Sequence, residues 1–169
     1  GMNLQQVELN FSADVDPYFT ATVVLSIGEG VVSGEIEIEE AYLKSLSLPG
    51  SLQLKAGKYL AGLSRLASQH LHNLDFATTS IPVILMIGGE MRQYGIELSW
   101  LTPLPFYLRL SLDVSYGGSM AFPISDPSRP VLSGHLKLYF DLSSSWGLLI
   151  GGGIANGVWA REERSAADI

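Results

Sequence analysis

YGIELSWLTPLPFYLRLSLDVSY, residues 94–116, alternates apolar and polar side chains on either side of two prolines. Before them, Tyr94, Ile96, Leu98 and Trp100 alternate with Gly95, Glu97 and Ser99. After them, Phe106, Leu108, Leu110, Leu112, Val114 and Tyr116 alternate with Tyr107, Arg109, Ser111, Asp113 and Ser115. A period of two places each set on one face of a strand. Pro103 and Pro105 cannot donate to a ladder, so the chain reverses between the two runs and a hairpin results. One face is apolar from end to end and the other carries the charges. The fold turns on whether that apolar face meets a protein core or lipid.

The same pattern recurs upstream. Residues 4–14 set Val7, Leu9, Phe11 and Ala13 against Gln6, Glu8, Asn10 and Ser12, and Asp14-Val15-Asp16-Pro17 turns the chain. The next strand sets Phe19, Ala21, Val23, Leu25 and Ile27 against Thr20, Thr22 and Ser26. Residues 31–45 give a third strand, with Ile36 and Ile38 opposite a column of Glu35, Glu37 and Glu39. Parity slips at Glu39-Glu40, which predicts a β-bulge. After Leu48-Pro49-Gly50, a fourth strand sets Leu52, Leu54 and Ala56 against Gln53 and Lys55, with Lys58 near its end. Antiparallel pairing would bring the glutamate column across from these lysines, at about 0.2–1 kcal/mol per opposite-charge pair.

Residues 59–92 interrupt the alternation. Leu63, Leu66, His70, Leu71 and Leu74 recur at helical spacing and predict a short amphipathic helix. Ile81 to Ile87 is apolar without alternation, and reads either as a doubly buried strand or as a segment packed inside a loop. Downstream, residues 117–132 are rich in Gly, Ser and Pro and read as a loop. A seventh strand sets His135, Lys137, Tyr139 and Asp141 against Leu136, Leu138, Phe140 and Leu142. The eighth runs from Trp146 to Asn156. The expected fold is an all-β, antiparallel up-and-down meander of about eight strands forming a β-barrel, or the N-terminal part of a larger one. It is one domain over residues 3–157, with residues 59–92 inserted and a charged tail at 158–169.

Composition narrows the solvent. Of 169 residues, 47% are apolar and only 16% charged, and mean hydropathy is +0.25, yet no stretch approaches the roughly 18 apolar residues of a spanning helix. That leaves a dense soluble β core or a membrane barrel, which hides its hydrophobicity in alternate residues. Net charge is −7 without a Lys/Arg cluster, which argues against nucleic acid as a partner. Cysteine is absent, so thiol chemistry is excluded. No export signal opens the chain, so either it is not exported or the signal has been removed.

Loop lengths alternate: turns after the first, third, fifth and seventh strands are short, while those after the fourth and sixth are long. Outer-membrane barrels share this layout, with the short turns periplasmic. Tyr18, Phe19, Tyr42, Trp100, Phe106, Phe140 and Trp146 gather at the short-turn rim, as in an interfacial girdle.

Residues 7–26 (VELNFSADVDPYFTATVVLS), Glu35 to Tyr42, residues 48–72 (LPGSLQLKAGKYLAGLSRLASQHLH) and residues 95–112 (GIELSWLTPLPFYLRLSL) resemble bacterial outer-membrane porin-like proteins. Many of these carry the label of zinc-regulated TonB-dependent outer-membrane receptor, or group near phosphate-selective porins. The most specific part is Ala56-Gly57-Lys58, then Leu66, then Gln69-His70-Leu71-His72. The resemblance implies a β-barrel in the outer membrane, in contact with the lipid bilayer and passing small solutes or ions, with no cofactor and no catalysis. A homo-oligomer is among the assemblies it allows. Because such proteins continue through further strands, the chain is expected to be the N-terminal portion of a larger barrel or a variant closed at eight.

In a larger barrel, Glu8, Glu35, Glu37, Glu39, Lys55, Lys58, Glu97, Arg109, Asp113, His135, Lys137 and Asp141 would line the lumen and tune ion selectivity. In an eight-strand closure the charged residues would pack as a salt-bridge core and leave no pore. A third reading is a soluble barrel or sandwich with the same pattern inside out, binding an apolar ligand. His70 and His72, with Asp75 nearby, are candidate zinc ligands, against the plainer reading of surface histidines. Glu35, Glu37 and Glu39 lack the second constellation a glycosidase needs and read as a solvated charge ladder. Gly151 to Gly153 is not followed by Lys-Ser/Thr and is no phosphate loop.

Overall fold

The computed structural model describes residues 6–28, 36–46, 48–64, 80–87, 91–119, 121–122 and 129–157. Eight strands follow in chain order: β1 (Gln6–Asp14), β2 (Phe19–Gly28), β3 (Ile36–Ser45), β4 (Leu52–Leu60), β5 (Arg92–Leu101), β6 (Tyr107–Ser115), β7 (Val131–Ser143) and β8 (Trp146–Asn156). They form a single sheet in which every strand is hydrogen-bonded to its sequence neighbour, and all seven ladders are antiparallel. The meander is therefore as the alternation predicts. Its closure is not: β1 and β8 remain edges and the sheet is open, with its polar face the covered, concave side and its apolar face the exposed, convex one.

The short turns are built from local chemistry. Between β1 and β2, the Asp16 carboxylate accepts from the backbone N–H groups of Tyr18 and Phe19 at 2.7 and 2.8 Å, an Asx turn that reverses the chain without glycine. Between β3 and β4, Gly50 takes a φ of +73° in a single turn of 3-10 helix over Pro49–Ser51. Its carbonyl oxygen accepts from Trp100 Nε1 at 3.0 Å.

The predicted bulge is present. Leu25 pairs with Ile38 and Val24 with Glu40, so Glu39 is the extra residue. Both glutamates turn toward the polar side as a result, and Glu39 is buried. Of the two lysines expected across from the β3 glutamates, Lys58 lies 3.9 Å from Glu37, while Lys55 does not pair with them. The ladder sets Lys55 against Lys44 on one side and Glu97 on the other, because the short connection between β3 and β4 fixes a register in which the glutamates lie beyond Ala41.

The apolar run whose structure the sequence left open is a helix, α1 (Ile81–Ile87). Pro82 sits in its first turn, where no N–H is needed, and the Ser80 carbonyl accepts from the N–H groups of Val83 and Ile84. The helix expected from Leu63 to Leu74 lies almost wholly outside the described residues. No helix among the described residues is long and apolar enough to cross a membrane.

Burial is inverted relative to the usual rule. On the concave face Ser26, Glu39, Gln93, Glu97, Ser99, Ser111, Asp113, Ser115 and Ser133 are buried. On the convex face of the same strands Phe11 is 58%, Leu112 67% and Ile154 77% exposed. Among the described residues, one small apolar cluster packs on the inner side at the long-loop end. It comprises Ala61, Met91, Ala121, Phe122 and Val131, with Leu63, Val83, Ile87 and Ala155 against it.

Candidate functional site

The polar concave face is assembled by register. Successive ladders align Asp14, Thr20, Lys44, Lys55, Glu97, Asp113, Ser133 and Ala155 in one row across all eight strands. The row beside it carries Gln53, Ser99, Ser111, His135 and Gly153, and the next carries Leu101, Arg109, Lys137 and Gly151.

Glu97 is the hub. One of its oxygens lies 3.1 Å from the Lys55 ammonium and the other 3.1 Å from the Arg109 guanidinium, which also donates to Ser99 Oγ at 3.1 Å. Lys55 lies over the Tyr59 ring at 4.2 Å and the Tyr42 ring at 5.6 Å, within the reach of cation–π attraction. The Tyr59 hydroxyl reaches across β5 to donate to Asp113 at 3.1 Å, and the same oxygen accepts from Gln93 Nε2 at 3.3 Å. Ser115 donates to Gln93 Oε1 at 3.1 Å. Glu97 and Asp113 are cross-strand partners, and two carboxylates so placed repel. The two cations and the two hydrogen-bond donors offset that repulsion.

Gly57 and Gly95 face each other across β4 and β5. A side-chain carbon at Gly57 would run into the Ala41 carbonyl, and its φ is +136°, which L residues rarely adopt. At Gly95 the obstruction would be the Val114 carbonyl. Close backbone approach at both positions admits no side chain.

Beyond β4, residues 61–64 turn inward. A side-chain carbon on Gly62 would strike the His135 ring, and one on Gly153 would strike Leu63. The chain leaving β4 thus crosses the concave side to β7 and β8, where it joins the small apolar cluster. The other end stays open: a cleft of about 440 Å³ near the short turns is lined by Gln53, Ser99, Tyr107 and Arg109 among others. The result is a polar trough, open at one end and narrowed by an apolar cap at the other.

The residues expected to line a lumen are placed as follows. Glu8 and Glu37 both pair with Ser26 on the polar face. Glu39 is buried against Arg92 at 3.1 Å, and Lys55, Glu97, Arg109 and Asp113 form the hub. His135 Nδ1 lies 3.9 Å from Asp113 Oδ2. Lys137 and Asp141 face the polar side in the exposed lower part of β7. Lys58 is a correction: its ladder partners Ala41 and Tyr94 belong to the convex face, because only odd positions of β4 point inward.

Glu35, His70, His72 and Asp75 lie outside the described residues. Among those described, no group of three or more His, Cys, Asp or Glu is placed to hold a metal ion. Sequence reasoning missed Tyr59, Gln93, Arg92 and the inward Gly62-Leu63 segment. Gln93 shares the parity of Glu97, which could have marked it. Tyr59 gives no such signal, since its ring is apolar and only the fold shows its hydroxyl reaching Asp113.

The chain is similar to an uncharacterized protein of Aquifex aeolicus (strain VF5), with 32% identity over 157 residues. The match covers 85% of this chain and 33% of that protein, so the chain spans about a third of its relative's length. No family model matches the chain, and no solved structure does.

Proposed function

We propose that the chain is part of the wall of a porin-like outer-membrane β-barrel that allows passive passage of small solutes or ions. The observation that carries this reading is the inverted burial: Glu97, Asp113 and Gln93 are covered, while Leu98, Leu112 and Ile154 on the same sheet are bare. Water cannot be the solvent on the convex face at low cost, because each such side chain is worth about 1.5–3 kcal/mol when removed from water. Lipid satisfies that face and leaves the polar face for an aqueous interior.

Aromatic residues frame the apolar band at both ends. Phe106 stands near the short turns, and Tyr116 stands ten residues on along the same convex parity. That span is about 34 Å of strand. At a tilt of about 40° it is a height of about 26 Å, close to the lipid-facing band of a transmembrane barrel. Tyr94 lies beside Tyr116: the Tyr116 N–H donates to the Tyr94 carbonyl and the Tyr94 N–H to the Gly117 carbonyl, so the second girdle has more than one member.

The barrel has more than eight strands. An eight-stranded interior holds only side chains, whereas here α1 and residues 61–64 pack on the inner side. Further strands pairing with the open edges of β1 and β8 would close it, and the Aquifex relative is long enough to carry them. β1 and β8 run in opposite directions, so additional antiparallel strands continue the alternation without a crossover.

The test is refolding with and without detergent or lipid, read by heat-modifiable migration, followed by conductance across a planar bilayer. The reading predicts a folded species only with amphiphile present, and discrete conductance once the barrel is closed. A compact monomer in plain buffer would overturn it.

A further inference from the structure

The open end of the trough carries two unlike cross-strand pairs side by side. Tyr107 opposes Tyr139, and one step along the same two strands Arg109 opposes Lys137. Both pairs share the parity of Ser111, Asp113, Ser133 and His135, so these tyrosines face the trough and not the lipid-facing girdle. They are nevertheless 38% and 39% exposed. An aromatic pair left bare on a face of charges, serines and amides is a feature that neither packing nor the bilayer accounts for.

The two rings do not close on each other. A side-chain carbon on Gly147 would strike the Tyr139 hydroxyl, and Gly147 pairs with Asp141 on the same face. The far end of Tyr139 therefore lies no higher above the sheet than a β-carbon would. Its ring is laid over β8, away from Tyr107, and the space between the two is left to the trough. A cleft of about 480 Å³ is bordered by both tyrosines, Leu101, Leu104 and Asp141. It shares Leu101 and Tyr107 with the cleft that reaches Arg109, and its volume suits a small molecule.

The cations beside the rings retain donors. Like charges directly opposite on neighbouring strands repel. Among the described residues, Arg109 engages one nitrogen, on Glu97 and Ser99, and Lys137 has no carboxylate within ion-pair distance. An anion bridging the two would offset their repulsion. On the far side of the ring, Asp141 stands beside the Tyr139 hydroxyl. One face of β7 thus presents Lys137, Tyr139 and Asp141 in order, a cation, a ring and a carboxylate at intervals of about 7 Å. The complement is a ring with an anion at one end and a hydrogen-bond donor at the other. A para-substituted benzene spans that interval with a hydrogen bond at each end.

We infer that this opening is a subsite for a hydroxylated aromatic carboxylate. The ring lies between Tyr107 and Tyr139, the carboxylate bridges Arg109 and Lys137, and the hydroxyl donates to Asp141. The subsite deepens the porin-wall reading above, on which its role in solute passage rests, by naming the class of solute.

The test is calorimetric titration of the full chain, refolded in detergent and checked by heat-modifiable migration. The probes are para-hydroxybenzoate, para-hydroxybenzyl alcohol, cyclohexanecarboxylate, benzoate and inorganic phosphate. Para-hydroxybenzoate should bind at least about tenfold more tightly than the alcohol, which cannot make charge-assisted bonds to the two cations. Cyclohexanecarboxylate, which has no aromatic face, should bind about threefold to tenfold more weakly. Benzoate lacks only the hydroxyl, and Asp141→Ala should bring the two acids to equal affinity. Lys137→Gln should weaken both acids and leave the alcohol unchanged. The probe series uses the unaltered chain, so it decides the matter even where a variant fails to fold. Phosphate or the alcohol binding as tightly as para-hydroxybenzoate would overturn the subsite, as would no binding to the folded chain. A chain that folds in plain buffer would instead overturn the wall reading, and the same titration in that buffer would then decide the subsite.

Discussion

Two cross-strand pairs between β5 and β6 sit one residue apart and face opposite ways. Glu97 opposes Asp113 on the concave side, and Leu98 opposes Leu112 on the convex side. The carboxylates are 3% and 2% exposed, the leucines 43% and 67%. In a protein built for water these numbers would be exchanged. The comparison shows that patterning alone leaves the direction of the core undetermined, since a period of two fits either side. What covers each face decides it, and here the chain leaving β4 at Gly62 packs over the polar face, against His135 and Gly153.

The largest effect should come from removing the hub of the concave face. Glu97→Ala leaves Lys55 and Arg109 without their shared carboxylate, and breaking a covered ion pair by deleting one partner costs about 3–5 kcal/mol. Guanidinium unfolding of the refolded chain in vesicles should show that loss. A loss below about 1 kcal/mol would mean that the trough is solvated freely and that the hub is only a surface network.

The convex face should respond next. Leu112→Arg places a charge near the middle of the apolar band, at about 2–4 kcal/mol in a bilayer. At a water-exposed position the same change would stay within about 0.5 kcal/mol. The two outcomes separate lipid from water on that face more sharply than any change on the polar side. The measurement is the same unfolding midpoint, taken in vesicles and again in a short-chain detergent.

Asp113→Asn sharpens the comparison within the concave pair. Its Oδ1 accepts from Tyr59 and Gln93, and an amide oxygen can do the same. Its charge faces Glu97, so neutralising it also relieves repulsion. The net change should be at most about 1 kcal/mol, several-fold less than at Glu97, although the two residues are cross-strand partners with equal burial. Equal losses would mean that Asp113 anchors the network as much as Glu97 does.

Much of this arrangement was legible before the structure. Alternation gives most of the eight strands, turn signals mark where the chain reverses between them, and the parity slip at Glu39-Glu40 locates the bulge. Three things were not legible. Lys58 looks like a lumen residue by type, but its side follows from counting along β4 from Lys55, where the two fall on opposite parity. The apolar run at 81–87 has no period long enough to separate strand from helix, and only the packing of Val83 and Ile87 on the inner apolar cluster shows why a short helix suffices. Closure could not be read at all, because strand alternation is identical in a closed barrel and an open sheet, while the size of what must fit inside depends on where residues 61–64 travel.

The smallest effect tests the ends of the band. Tyr116 is on the convex face beside Tyr94, 53% exposed, where the strands leave the apolar zone. An aromatic ring with a hydroxyl suits that boundary because one end is apolar and the other wet. Tyr116→Arg should therefore cost only about 0–1 kcal/mol, since a guanidinium at the interface reaches water along its own stem. Set against Leu112→Arg, four positions away on the same face of the same hairpin, it yields a depth gradient and not merely a sensitivity. A steep gradient places the boundary between Leu112 and Tyr116. Equal costs at the two positions would mean that the convex face meets a uniform surface, as a protein partner would supply, and that the aromatic pair marks no interface.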